Sequence, residues 1–141
     1  MKAYKISNET KNMVINLLSN INNLQIEERI VNNCHILLND KDDIVGTISY
    51  EKFDNIALIR YFVFKKNITF NDLIILYNSL ENELKEKEVI YAIGIINSDE
   101  VKDVFINLGF KKKEKDKLYF EETLFEKTIY KDNDIFFKSV K

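Results

Sequence analysis

The chain has 141 residues, 45% of them hydrophobic and 31% charged, with a formal net charge of −2. A length of this order sets one domain that buries roughly 68–70% of its unfolded surface without a metal or disulfide. Near-neutral, interspersed charge excludes a general pull towards nucleic acid or an anionic membrane. The single cysteine, Cys34, excludes an intrachain disulfide.

No apolar run approaches 18 residues, so no membrane span is expected, and Met1-Lys-Ala-Tyr shows no signal-peptide pattern; a cytoplasmic protein is the expectation. There is no Pro and there are only three Gly, against much Asn, Lys, Ile and Phe, as an AT-rich coding sequence gives.

Residues 3–6 alternate as a short strand, and Ser7 or Asn8 starts a helix in which Val14, Leu17, Leu18 and Ile21 recur on one face. Asn22-Asn23 marks a turn, and Ile26 and Ile30 lie on a short second helix over residues 25–32. Residues 34–38 and 44–50 read as strands around a polar turn, Gly46 marking a bulge or close backbone approach. Asp54-Asn55 turns the chain into residues 56–64, apolar almost throughout, as suits a strand covered on both faces.

Thr69 then caps a long helix, with Asp72 completing a capping box. Leu73, Tyr77, Leu80 and Leu84 form its apolar face; Asp72, Ser79, Asn82, Glu83 and Glu86 take the other. Residues 89–96 form another apolar strand, and a strand–helix–strand unit of this length implies a parallel pair with a right-handed crossover. Asn97 or Ser98 caps the next helix, which carries Val101, Val104, Phe105 and Leu108, with Gly109 at the left-handed position beyond its end. Residues 110–120 and 124–130 read as a closing hairpin in which Lys111-Lys112-Lys113, followed by Glu114 and Asp116, is a solvated strand edge. Residues 131–141 extend beyond it and carry Ile135-Phe136-Phe137, expected to pack over an open sheet edge or against a second copy in a homodimer.

Four pieces together resemble the GNAT N-acetyltransferase superfamily. They are Ile44-Val45-Gly46-Thr47-Ile48, Ile59-Arg60-Tyr61-Phe62-Val63, the long helix that follows, and the stretch from Ser98 through Asn107-Leu108-Gly109-Phe110. The resemblance covers residues 1–130 and implies an α/β fold: a mixed, mostly antiparallel sheet with one parallel crossover pair, flanked by helices. It also implies acetyl-CoA as cofactor, its pantetheine arm between the fourth and fifth strands, and a small amine or protein amine as acceptor. The alternative is a GNAT-like fold that has lost acyl transfer and binds a ligand or partner protein.

In the family a Q/R-x-x-G-x-G/A loop opens the third helix and holds the pyrophosphate. Here it falls on Ile68-Thr69-Phe70-Asn71-Asp72-Leu73, which is degenerate: Ile68, Asn71 and Leu73 replace the basic or amide residue and the two small ones. Leu73 is expected to put a side chain in the path of the pyrophosphate, and Asp72 a negative charge. Thr69 to Leu73 remain the candidate cofactor contacts, together with the strand amides of Phe62, Val63 and Phe64 for the thioester oxygen and Ser98 near the cofactor.

Phe105 stands where the family often has a tyrosine that reprotonates the leaving thiolate, and reads as core packing; Tyr61, Tyr91 and Tyr119 are the other tyrosines to be looked for near the cleft, with hydroxyls that the sequence does not place. Glu51, ending the third strand, is the candidate catalytic base through a water, or else a surface-turn charge. Arg60 points into a cleft or snorkels to the sheet edge. His35 and Cys34 face opposite sides of a strand and form no dyad, and no metal-ligand spacing is present.

Overall fold

The computed structural model describes residues 1–112, 119–120, 123–124 and 134–140. The elements run β1 (Lys2–Lys5), α1 (Asn8–Ser19), α2 (Glu28–Val31), β2 (His35–Leu38), β3 (Ile44–Phe53) and β4 (Ile56–Phe64). They continue with α3 (Phe70–Glu86), β5 (Tyr91–Ile96), α4 (Asp99–Asn107), β6 (Lys111–Lys112), β7 (Tyr119–Phe120), β8 (Thr123–Leu124) and β9 (Asp134–Ser139). The apolar run of residues 56–64 is a strand at its expected bounds, while the second helix shortens from eight residues to four.

Among the described residues, seven strands form one sheet in the order β1-β2-β3-β4-β5-β9-β6, and β7 pairs with β8 apart from it. β4 and β5 are parallel, with Ile56, Ala57 and Leu58 opposite Tyr91, Ala92 and Ile93, as the crossover spacing requires. The pairs β1–β2, β2–β3, β5–β9 and β6–β9 are antiparallel. The remainder of the expected hairpin, with Lys113 of the basic run, lies outside the described residues.

The chain folds as two compact units: residues 1–51 with 60–83, and residues 52–59 with 84–141. In the first, Val14 and Leu18 of α1, Ile30 and Val31 of α2, Cys34, Ile36, Ile44 and Tyr61 form one buried cluster. Ser7 caps α1 through a capping box with Thr10. The register of β2 on β3 shifts between Leu37 and Leu38, next to Gly46, which is the bulge expected there.

In the second unit Leu58, Ile93 and Ile135 are the buried centre, flanked by Phe53, Ile56, Ile95 and Phe137. Residues 134–139, read from sequence as an extension, are a strand between β5 and β6. Ile135 and Phe136 are buried there, so their packing requires no second copy. α4 ends as its glycine predicts. Gly109 has φ +97°, its N–H donates to Ile106 C=O, and Phe110 N–H reaches Phe105 C=O at 2.9 Å, a Schellman closure.

Gly94 of β5 lies under the ring of Phe105, which stacks edge-on against Phe110 with centroids 4.8 Å apart. A Cβ on Gly94 would fall 2.7 Å from two ring carbons of Phe105. Gly94→Ala is therefore expected to destabilise the fold by about 1–3 kcal/mol through overpacking. Phe105→Leu in the same chain should recover part of that loss, a non-additivity read from urea unfolding of the double-mutant cycle.

Candidate functional site

Tyr61 sits inside β4 with φ +51°, a left-handed backbone that bulky residues rarely adopt. Three hydrogen bonds hold it there. Its hydroxyl donates to Gln25 C=O at 2.8 Å and accepts Glu27 N–H at 2.8 Å, while Thr47 Oγ1 donates to its carbonyl at 2.8 Å. The segment between α1 and α2 is thereby tied to β4. Its neighbour Arg60 stacks over the Tyr61 ring, 5.5 Å from the centroid.

Arg60 does not snorkel to an edge. Its Nη1 donates to Glu51 Oε1, and its Nη2 lies 4.0 Å from Glu27 Oε2. Arg29 Nη2 donates to Glu51 Oε2 at 2.8 Å and to Glu27 Oε1 at 3.2 Å. Glu51 is therefore no surface-turn charge: it lies within β3, which runs on to Phe53, and its side chain is 7% exposed. Both its oxygens accept guanidinium hydrogen bonds, so any water relay to a substrate must use its remaining lone pairs. Contact with Glu51 raises the pKa of Arg29 above its ordinary value, first through the hydrogen bond and then through charge attraction.

Phe62, Val63 and Phe64 are half-buried along the end of β4, with the rings of Phe62 and Phe64 5.4 Å apart. Val63 and Phe64 join Leu17, Ile21, Ile44 and Val45 in lining an apolar groove of about 200 Å³, with Lys65 at its edge. The start of α3 follows, with Thr69, Phe70 and Asn71 exposed. The capping box forms as expected: Thr69 Oγ1 donates to Asp72 Oδ2 at 2.8 Å, and Asp72 N–H reaches Thr69 Oγ1 at 3.2 Å. Leu73 corrects the sequence reading. It is 4% exposed and continues the core stripe of Leu76, Tyr77 and Leu80, so its side chain points inward and does not obstruct the helix start.

Ser98 caps α4, accepting Val101 N–H at 3.2 Å. Phe105 is buried, as its place on the apolar stripe predicts. Of the alternative hydroxyls, that of Tyr61 is engaged in the loop, Tyr91 packs edge-on against Phe137, and the side chain of Tyr119 lies outside the described residues. Burial pushes the Cys34 thiol up to about 11, which leaves it a core group without nucleophilic character.

No family model matches the sequence, and no curated protein matches it. Solved structures do. The chain superposes on a GNAT-family acetyltransferase from Staphylococcus aureus Mu50 with TM-score 0.74 at 17% identity, covering 99% of both chains. Rv2747 from Mycobacterium tuberculosis, solved with CoA and NLQ, gives 0.75 at 10% identity over 99% of both chains. N-acetylglutamate synthase from Neisseria gonorrhoeae, complexed with coenzyme A and N-acetyl-glutamate, gives 0.77 at 12% identity; this chain spans 35% of its length. The chain has the GNAT fold.

Within this GNAT fold, the sequence reading missed one polar cluster. Ser79 and Glu83 of α3 turn towards the sheet, because they flank the apolar stripe and do not oppose it. His35, 4% exposed, places Nδ1 2.7 Å from Ser79 Oγ and Nε2 3.3 Å from Glu83 Oε1. Tyr50 also donates to Glu83, and Lys5 Nζ lies 2.7 Å from it. The only local sign is Ser79 and Glu83 at i, i+4 beside buried Leu80. Burial pushes the Glu83 carboxyl up, but hydrogen bonds from His35, Lys5 and Tyr50 outweigh it and hold the group at about 2.

Because folding lowers that pKa from its ordinary 4.5, the stabilisation is complete above pH 4.5 and is lost as pH falls towards about 2. Glu83→Gln is expected to lower stability at pH 7 by roughly 1–3 kcal/mol. It should also flatten the acid limb of stability measured by urea unfolding between pH 5 and pH 2.

Proposed function

We propose that this chain transfers an acetyl group from acetyl-CoA to the nitrogen of an amine. The observation that carries the reading is a solvent-facing helix start directly after β4, in a chain whose fold matches, over 99% of both chains, a GNAT-family acetyltransferase and a protein solved with CoA. Acetyl-CoA, when bound, supplies an activated acyl thioester.

At the start of α3 the first N–H groups have no acceptor one turn back. Those of Phe70 and Asn71, with the ammonium groups of Lys65 and Lys66 just before them, suit a pyrophosphate. Leu73, turned inward, leaves that approach open, while the Asp72 carboxylate opposes an anion. Backbone groups of Phe62, Val63 and Phe64 suit the acyl end of the donor, and Ser98 keeps its contact to the α4 backbone. Glu51 and Glu27 are the carboxylates beside Tyr61 that can take the acceptor's proton, directly or through water. The nitrogen gains the acyl carbon and loses a proton. The sulfur leaves as the thiol, protonated by water, since Phe105 has no proton to give.

Asp72 and Phe105 also favour a second reading, a GNAT-like fold that binds a ligand or partner without transferring acyl groups. Thermal melts separate the two. Acetyl-CoA at 100 times its dissociation constant stabilises a native state by ~2.7 kcal/mol, a rise of about 5–10 °C for a domain of this size. Asp72→Asn, which keeps a capping side chain and removes the charge, should strengthen the response. A melt that ignores millimolar acetyl-CoA in both wild type and Asp72→Asn would discard acyl transfer and leave the binding reading.

A further inference from the structure

The apolar groove of about 200 Å³ lies wholly within the first unit. Apart from Lys65, its side chains take no part in the acyl-transfer reading, which uses only backbone groups of Val63 and Phe64. Three elements wall it: Leu17 and Ile21 from α1, Ile44 and Val45 from the start of β3, and Val63 and Phe64 from the end of β4. All six are hydrocarbon side chains, so these walls offer no side-chain donor or acceptor.

Backbone groups at its rim are spent as well. Lys65 N–H donates to Val45 C=O at 3.0 Å, and Ile21 N–H to Leu18 C=O at 3.1 Å. A sugar, a nucleotide base or a peptide strand would leave its own polar groups unpaired against such walls. An alkyl chain has none to lose. A methylene is close in size to a water molecule, whose share of liquid volume is roughly 30 Å³, so the groove holds about six or seven carbons.

The charge at the edge is a cation. Lys65 is the charged side chain that lines the groove among the described residues, and it is exposed. Lys5 and Lys11 are ion-paired, whereas neither Lys65 nor Lys66 forms an ion pair among the described residues. The hydrogen bond from its N–H to Val45 fixes the Lys65 backbone beside the apolar wall.

From this we infer that the groove binds a medium-chain fatty acid, its alkyl chain against α1, β3 and β4 and its carboxylate on the Lys65 ammonium. The lysine alone is a solvated charge, and the walls alone admit any apolar group. Together they match one amphiphile, a single short chain ending in one negative charge. A lipid with two long chains exceeds the volume. The inference stands whether or not the chain transfers acyl groups.

The test is calorimetric titration of the wild-type chain with octanoate, butyrate and 1-octanol, with the methyl resonances of Leu17, Ile21, Val45 and Val63 followed by NMR. A fully buried methylene is worth roughly fourfold in affinity, so four half-buried ones separate octanoate from butyrate by about fifteenfold. One exposed ion pair is worth at most about fivefold, so octanoate should exceed 1-octanol by more than threefold. Octanoate is expected to saturate at or below millimolar concentration and to shift the methyls of those four residues. Lys65→Glu should weaken octanoate more than threefold and leave 1-octanol unchanged; Lys65 is exposed, so this variant keeps the fold. Binding of 1-octanol as tight as octanoate would show an apolar face without an anion site, and butyrate as tight as octanoate a surface lysine without a chain site. Either result overturns the inference. So do shifts confined to residues 69–72, an unchanged octanoate affinity in Lys65→Glu, or no saturation at millimolar octanoate.

Discussion

A tyrosine held at φ +51° in the middle of a strand is the constraint from which the candidate site is built. Such a conformation costs of order 1–3 kcal/mol for a non-glycine residue and persists only where its surroundings over-determine it. Here the surroundings are specific. Thr47 of the neighbouring strand takes the carbonyl, and the hydroxyl at the far end of the ring takes a donor and an acceptor from residues 25–27. Each bond contributes about 0.5–1.5 kcal/mol, and the residue is 5% exposed. Together these offset the strain. One residue therefore ties β4 to the segment that carries Glu27 and Arg29, and places Arg60 next to it.

The consequence is a fixed set of charges in place of flexible surface ones. Glu51 could not be enclosed alone, since an unpaired buried carboxylate is far costlier than a paired one. Two guanidiniums compensate it, one from β4 and one from α2. The His35–Glu83 cluster repeats the solution on the opposite side of β2. His35 turns to Ser79 and Glu83 of α3 while Cys34 and Ile36 pack among α1 and α2, as strand alternation demands. The first unit is thus held on both faces of its strands by polar contacts, and among the described residues no buried side-chain nitrogen or oxygen lacks a hydrogen-bond partner.

Local signals carried well from sequence to structure. The Thr69–Asp72 box, the Ser98 cap and Gly109 beyond α4 each depend on residues within a turn of one another, and each forms. The apolar runs at 56–64 and 89–96 and the helix between them dictated the parallel pair, the second strand forming over Tyr91–Ile96. What was not legible is non-local. Glu51 meets Arg29 across 22 residues and Arg60 across nine, the first closed by the packing of α2 on the sheet and the second by the return of the chain from β3 into β4. Tyr61 carries no glycine or asparagine that would announce a left-handed backbone. Ile135-Phe136-Phe137 declared that it would be buried, but its insertion between β5 and β6 needed a sheet order that spacing alone does not supply.

The helix start shows how two departures from a motif differ physically. Leucine for a small residue looked like obstruction, yet at position 73 the helical phase sends the side chain into the core beside Leu76 and Tyr77, where it adds apolar burial. Aspartate at position 72 is different. Its carboxylate lies 2.8 Å from Thr69 Oγ1 and occupies the positive end of the helix, a placement worth ~0.3–1 kcal/mol to the helix itself. Under the acyl-transfer reading, a pyrophosphate would share that end with it. The same residue that secures the helix would then oppose the anion, against the charge of Lys65 and Lys66 one turn earlier in the chain.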